Sequence, residues 1–441
     1  MTGTSIKTDK RGIALLHDPT LNKSTAFAEA EPQALGLVGL VPDVTESEDL
    51  QVRRALLQLG HKSTDLERYI YLVGLLDTDE TLFYRVVMSD PTRFLPIIYD
   101  PTIGEACLKF GHIYRRARGM YLSITRKGHV AEILRNWPVE DVRFICVTDG
   151  GRILGLGDLG ANGMGIPIGK LQLYTAAAGV PPLGLLPMYL DAGTNNESLL
   201  NDPLYLGLRR RRPSTEELYA FVDEFVDAVQ EVFPECCIHF EDWTGSDAVH
   251  LLARYRDKAC CYNDDIQGTA GIALAGMINA VKIKGGTLAE QRILFLGAGS
   301  AAIGLADLMA SAMTAEGMTL EQAQARISMF DVDGLLEPSR TDLFDFQRPY
   351  AHPHAPTRDF VAAIESLKPT TIIGVSTVSE QQLAQGLLYP PQSDILETEI
   401  RTAARVAGVV FDAGLARVDR PADLEAFIRE FVYKPRYRSL A

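Results

Sequence analysis

The chain has 441 residues, 46% of them hydrophobic and 23% charged, the mixture of an ordinary globular protein with room for about three domains of roughly 150 residues. Its 43 Lys and Arg stand against 57 Asp and Glu, a formal net charge of −14; this argues against a general nucleic-acid partner, which favours a basic surface, and requires local cations or a metal to hold any anionic substrate. The longest apolar runs stop well short of the about 18 residues of a membrane span, and residues 1–18 carry no targeting pattern, so the expectation is a cytoplasmic protein with no membrane partner.

Residues 1–95 read as a helical N-terminal region. Within it Leu66, Tyr69, Leu72, Leu75 and Leu76 recur at spacings of three and four, the stripe of a packed helix. From 96 to 285 strand-like and helix-like segments alternate, which predicts a catalytic α/β domain with a largely parallel sheet. Its strand candidates are 142–148, 185–190 and 236–240, with a helix over 214–232 before the third. The turn Asp149, Gly150, Gly151 after the first is of the kind that closes a hairpin. The basic run 209–212 reads as a solvated loop or helix edge, with a site for a phosphate-bearing effector as the alternative.

A second α/β unit is expected over 286–376, with strands at 292–296, 327–330 and 370–375 and a helix over 359–367. Three strands make about one half of a dinucleotide fold, so this is a truncated Rossmann-like domain. Residues 377–441 read as C-terminal helices: Ile395, Ile400, Ala404, Ala407 and Phe411 share one face, and another helix is expected over 421–432. The six cysteines (Cys107, Cys146, Cys236, Cys237, Cys260 and Cys261) show no CxxC spacing and read as reduced thiols, several of them in strands.

Gly297, Gly299 and Ala302, with Ser300 and Ala301 between them, form GxGxxA after a strand and at the opening of a helix. Gly297 allows the tight turn, Gly299 the approach of a pyrophosphate, and Ala302 close helix–strand packing; the helix N-terminus supplies free N–H groups to phosphate. Asp331 ends the next strand and is placed to accept from the adenosine ribose hydroxyls. Val332 and Asp333 follow it, with no Lys or Arg beside it, so NAD is favoured over NADP. Two acidic doublets, Glu241-Asp242 and Asp264-Asp265, follow strand-like or apolar runs; if they converge, their oxygens suit a hard divalent ion such as Mg²⁺ or Mn²⁺, and if not they are solvated loop residues. Tyr99, Arg152 and Lys170 sit in turn-rich or glycine-rich surroundings. Each is readable as structural, or as the polar apparatus of a site in which a desolvated Lys170 acts as a base.

The ordered strings LPIIYDPT (95–102), GHIYRR (111–116), VTDG (147–150), RILGLGDLG (152–160), GMGIPIGK (163–170), FED (240–242) and NDDIQGT (263–269) resemble the malic enzymes. The resemblance implies oxidation of L-malate with NAD or NADP and decarboxylation to pyruvate and CO₂, in a homo-oligomer, dimer or tetramer. It implies Tyr99 as general acid, Lys170 as general base, Asp264 as the partner of that lysine, and Arg152 on the substrate carboxylate. It further implies Glu241, Asp242 and Asp265 as metal ligands. Asp100 stands where malic enzymes commonly have Thr and where the related malolactic enzymes, which make lactate, share Asp. Family members also carry on the order of a hundred further residues that complete the second half of the dinucleotide fold. Here the chain runs after about Ser376 straight into 378–391, which resembles the family's C-terminal section. An impaired member, keeping only oxaloacetate decarboxylation or acting as a non-catalytic subunit, is therefore an alternative alongside the malolactic one.

Overall fold

The computed structural model describes residues 5–375 and 395–440. Residues 1–236 with 390–441 form one compact unit and residues 237–389 another. The segment 378–391, expected to resemble the family's C-terminal section, lies outside the described residues.

The first unit opens with helices whose starts are written in the sequence. After α1 (Glu48–Gly60), helix α2 (Asp65–Leu76) begins at a capping box in which Thr64 and Glu67 exchange hydrogen bonds. It buries Leu66, Tyr69, Leu72 and Val73, close to the stripe expected. Helices α3 (Glu80–Ser89), α4 (Pro91–Ile98) and α5 (Thr102–Leu108) add Phe83, Phe94, Ile98 and Ile103 to the same apolar core. Strands β1 (Met120–Ser123), β2 (Phe144–Thr148) and β3 (Leu185–Asp191) pair side by side with β3 in the middle, all parallel. The hairpin expected after β2 is therefore absent. The Asp149-Gly150-Gly151 turn instead starts a crossover that carries α6 (Gly165–Ala178) before β3, as a parallel neighbour requires. Helix α6 fits against its neighbours through glycines: a Cβ on Gly165 would come 2.7 Å from Cys107 Sγ, and one on Gly169 2.8 Å from the Tyr99 ring. Helix α7 (Thr215–Val232), capped by Ser214, matches the expected helix.

In the second unit β4 (Cys237–Phe240) and β5 (Cys261–Asn263) pair in parallel, with α8 (Gly245–Tyr255) between them in the chain. A π-helical turn, Asp264–Gly268, leads into α9 (Thr269–Lys284). Together they make a 21-residue stretch containing an 18-residue window of mean hydropathy 1.2, long and apolar enough by length and composition alone to span a membrane; counting unbroken apolar runs did not anticipate it. It opens on two aspartates, and its Ala270, Met277 and Val281 join the apolar core of this unit.

The dinucleotide-type sheet contains β6 (Ile293–Leu296), β7 (Ile327–Asp331), β8 (Gly334–Leu335) and β9 (Thr371–Gly374) in the order β9-β6-β7-β8. The first three are parallel and are the three strands expected; β8 is a two-residue antiparallel addition too short for any periodicity to reveal. Helices α10 (Ser300–Ala315) and α11 (Phe360–Leu367) pack on it. Helices α12 (Ile395–Asp412) and α13 (Leu424–Phe431) belong to the first unit. The chain then returns to the N-terminal helices, where Tyr437 donates to Asp79 Oδ2 at 2.6 Å and residues 439–440 pair in parallel with 5–6. All six cysteines are free thiols.

Candidate functional site

In the first unit Tyr99 follows the last turn of α4, its N–H bonded to Leu95 O at 3.0 Å. Because residue 169 is glycine, its ring can approach α6 closely: a Cβ there would lie 2.8 Å from the ring. Lys170 on that helix places Nζ 5.1 Å from the ring centroid, a cation–π contact worth about 0.5–2 kcal/mol. Two residues far apart in the chain are thus brought together, both half-buried.

Arg152 is exposed, and among the described residues no hydrogen bond or ion pair engages its guanidinium. Its loop is held at both ends by one residue. Arg212 donates to Asp149 Oδ2 at 2.5 Å on one side, and to Asp158 Oδ2 and Oδ1 at 3.1 Å each on the other. Asp149 in turn accepts from Gly151 N–H, and Asp158 from Gly160 N–H. Burial disfavours the charged form of Asp158, yet the hydrogen bonds and charge of Arg212 outweigh it and hold that carboxyl below its ordinary range. This corrects the reading of the basic run. Arg209, Arg210 and Arg211 lie at the surface, but the Arg212 side chain is only 11% exposed and is structural.

The second unit explains the acidic doublets by register. Phe240 of β4 is paired with Asn263 of β5, so Glu241 and Asp264 each leave their strand one residue later, at the same carboxyl edge where parallel sheets bind ligands. Asn263 Oδ1 accepts from Ile266 N–H at 3.0 Å and starts the π-helical turn. Asp242 has φ of +55°, a left-handed conformation uncommon outside glycine, and its N–H donates to Asp265 Oδ2 at 2.8 Å. The donor atoms that converge are those of His239, Glu241 and Asp264, all within 4.8 Å of one another. That is close to the about 4.4 Å between ligands on opposite sides of an ion bound at about 2.2 Å. Gly268 makes the room, since a Cβ there would lie 1.9 Å from Asp264 Oδ1. The donor set and its cradle fit a divalent metal ion. His239 is the member that sequence reading missed, although its place two residues before Glu241 on a strand was a signal.

The glycine loop lies between strand and helix, as expected. Gly297 turns at φ of +124°, where a Cβ would press on the Val375 carbonyl at 2.9 Å, and Ala302 is buried. Gly299 is exposed with open space around it, and α10 starts at Ser300. One turn further on, a Cβ at Gly304 would lie 2.7 Å from the Ile266 carbonyl. Helix α10 therefore rests directly on the turn that carries Asp264 and Asp265.

Asp331 ends β7 and is not without a cation, a correction to its sequence neighbours. Arg340 donates to both its oxygens, at 2.8 and 2.9 Å, and also to both oxygens of Asp342. The intervening chain folds back through β8, which no local reading of Val332 and Asp333 discloses. A surface cavity of about 530 Å³ here is lined by Asp333, Glu337, Arg340, Asp342 and Arg358 among others.

Fold and site together define an α/β protein with a dinucleotide-binding sheet and a divalent-metal donor set. The profile of the malic enzyme N-terminal domain matches residues 76–256, and that of the malic enzyme NAD binding domain matches residues 266–384. The NADP-dependent malic enzyme of Mus musculus is 46% identical over 372 residues, 84% of this chain and 65% of the mouse protein. That of Columba livia is 45% identical over 382 residues, 86% of this chain and 69% of the pigeon protein. The crystal structure of Entamoeba histolytica malic enzyme aligns with 77% of this chain and 80% of that one at 18% identity and a TM-score of 0.48, too low to carry an argument. The chain belongs to the malic enzyme family. It spans about 65% of the length of the mouse relative.

Proposed function

We propose that the protein oxidises L-malate with a nicotinamide dinucleotide and decarboxylates the product to pyruvate and CO₂, in a reaction that depends on a divalent metal ion. The observation that carries this reading is the packing of α10 on the Asp264–Gly268 turn through Gly304. It joins the loop suited to a dinucleotide pyrophosphate to the acids suited to a metal, as hydride transfer from a metal-held substrate demands. The names of the relatives support the same reading.

Each residue then has a task. Lys170 takes the proton of the C2 hydroxyl; a bound nicotinamide dinucleotide would supply the acceptor for the C2 hydride. Arg152 holds a substrate carboxylate, which answers the difficulty of binding a dianion to a protein of net charge −14. Tyr99 returns a proton to C3 once CO₂ has left. Glu241 and Asp264, with Asp242 and Asp265 beside them, would hold Mg²⁺ or Mn²⁺; the ion, when bound, supplies positive charge to the oxygen on C2. Replacing Lys170 by Ala, or Tyr99 by Phe, is expected to lower kcat by about 10²–10⁴, measured as dinucleotide reduction at saturating malate.

NAD is the dinucleotide we propose. Arg340 is already shared by Asp331 and Asp342, and the cavity beside them has three carboxylates against two guanidiniums, a poor host for a 2′-phosphate. NADP is the second reading, favoured by the relatives' printed names and by the presence of Arg340 at Asp331. The ratio of kcat/KM for the two dinucleotides decides between them. The same proposal makes the protein a cytoplasmic homo-oligomer, and sedimentation of the purified chain tests the assembly.

A further inference from the structure

The register of the parallel pair β4 and β5 sets Ile238 opposite Cys261 and His239 opposite Tyr262. One step back along both strands, Cys237 opens β4 and Cys260 immediately precedes β5. The strands are still joined there, since Ile238 N–H donates to Cys260 O at 2.9 Å. Side chains alternate between the two faces of a sheet, which puts Cys237 and Cys260 on the face of His239 and Tyr262. On that face register partners meet: the His239 and Tyr262 rings stack with centroids 4.6 Å apart. Paired strands lie about 4.8 Å apart, within the about 4.4–6.8 Å between Cα atoms that a disulfide spans. Cys260 is exposed and Cys237 half-buried, whereas Cys236 is buried. Cys261 belongs to the opposite face, where burial and the neighbouring Cys260 push its thiol up to about 11.

We propose that Cys237 and Cys260 are a reversible thiol–disulfide pair, a modification site that hydrogen peroxide oxidises. Cys260, the exposed member, reacts first. Its thiolate sulfur attacks one peroxide oxygen, the O–O bond breaks, and the departing hydroxide takes up the thiol's proton and leaves as water. The Cys260 sulfur is then a sulfenic acid. The Cys237 sulfur attacks it, gives up its own proton and displaces hydroxide, which leaves as a second water. Two thiols have lost two electrons, and one peroxide has become two waters. The new S–S bond ties the amino ends of the two strands that lead to Glu241 and Asp264, each four residues further on, and closes a loop around α8. A bridge next to an exposed residue is open to thiol reductants, as suits a regulatory disulfide rather than a structural one.

The test is mass-spectrometric peptide mapping of the full, folded chain before and after treatment with hydrogen peroxide, with remaining thiols blocked before digestion. Trypsin separates the two cysteines, Cys237 in residues 212–254 and Cys260 in residues 259–282. The expected result is one cross-linked pair of these peptides, lighter than their reduced sum by two hydrogens, about 2 Da. Fragment ions are expected to place the bond between Cys237 and Cys260, and excess dithiothreitol to return both thiols. Cys237→Ser and Cys260→Ser should each abolish the cross-link, and Cys261→Ser should keep it. Because the bridge restricts the unfolded chain, the oxidised protein is expected to melt at a higher temperature than the reduced one. The mapping of the unsubstituted chain needs no variant to fold. Peroxide that carries the thiols to sulfinic acid without a cross-link, or a cross-link through Cys236 or Cys261, overturns the inference. A Cys237–Cys260 bridge that lowers the melting temperature overturns the in-register geometry on which it rests.

Discussion

A methyl group on Gly268 would occupy the place of the Asp264 carboxylate, 1.9 Å from Oδ1. The backbone there is ordinary right-handed helix, so alanine costs the fold little and gains about 0.4–1 kcal/mol by restricting the unfolded chain. The side chain that yields is the end of Asp264. Gly268→Ala is thus expected to keep or slightly raise the unfolding midpoint while weakening Mn²⁺ binding about tenfold or more, measured by EPR titration; a variant that binds Mn²⁺ as tightly as the parent would contradict the cradle. At this scale much of the candidate site was legible. Tyr99, Lys170, Glu241 and Asp264 stood out through ordered strings, and Gly297, Gly299 and Ala302 through their place between strand and helix. His239 and Arg212 did not. A histidine inside an apolar strand looks like any core residue until its register partner is known. Arg212 shared a run with three surface arginines, and its partners lie 63 and 54 residues away, a separation at which nothing local marks a pair.

At the scale of elements, two segments are held by buried polar contacts. The loop from Asp149 to Asp158 depends on Arg212, and the Asp149 side chain is 1% exposed. Removing one partner of such a pair leaves an uncompensated buried charge, at a cost of about 3–5 kcal/mol. Arg212→Gln is therefore expected to lower the unfolding free energy measured in urea by that amount and to raise KM for malate more than it lowers kcat, because Arg152 rides on the loop. The second segment is the C-terminal stretch on the N-terminal helices. Burial pushes the Asp79 carboxyl up to about 6, with the Glu48 charge adding to it and the Tyr437 hydroxyl and Leu82 N–H opposing it. A carboxyl raised in the folded state stabilises the fold most at low pH, and that contribution is lost as pH rises through about 6. Asp79→Asn, measured against the parent by urea unfolding at pH 4 and pH 7, should gain on it by about 2 kcal/mol across that interval. The elements themselves were mostly readable: α2, α7, β2, β3, β6 and β7 fall where periodicity and turn residues put them. The hairpin after β2 was misread because a Gly-Gly turn looks alike at the start of a hairpin and of a crossover, and only the partner strand distinguishes them.

At the scale of the whole molecule, a three-strand parallel sheet with one short antiparallel addition is half of a dinucleotide fold. Among the described residues β9 ends that sheet with Ile372 49% exposed, and α9 leaves Ile272 and Ile283 at the surface, 57% and 79% exposed. A chain that spans 65% of the mouse relative's length places Lys170 over the Tyr99 ring, gathers the His239, Glu241 and Asp264 donors, and sets the glycine loop between strand and helix. Length and the strand count carried this much from sequence, whereas the division at residue 237 follows from long-range packing that no segment announces. Whether these parts complete the redox step or stop at decarboxylation of oxaloacetate is decided by one assay. Protein shown by circular dichroism to be folded is given L-malate, NAD and Mn²⁺, and absorbance at 340 nm is followed while pyruvate is quantified. The account predicts NADH and pyruvate in equal amounts, both abolished by a chelator; folded protein that binds Mn²⁺ yet forms no NADH from malate would contradict it.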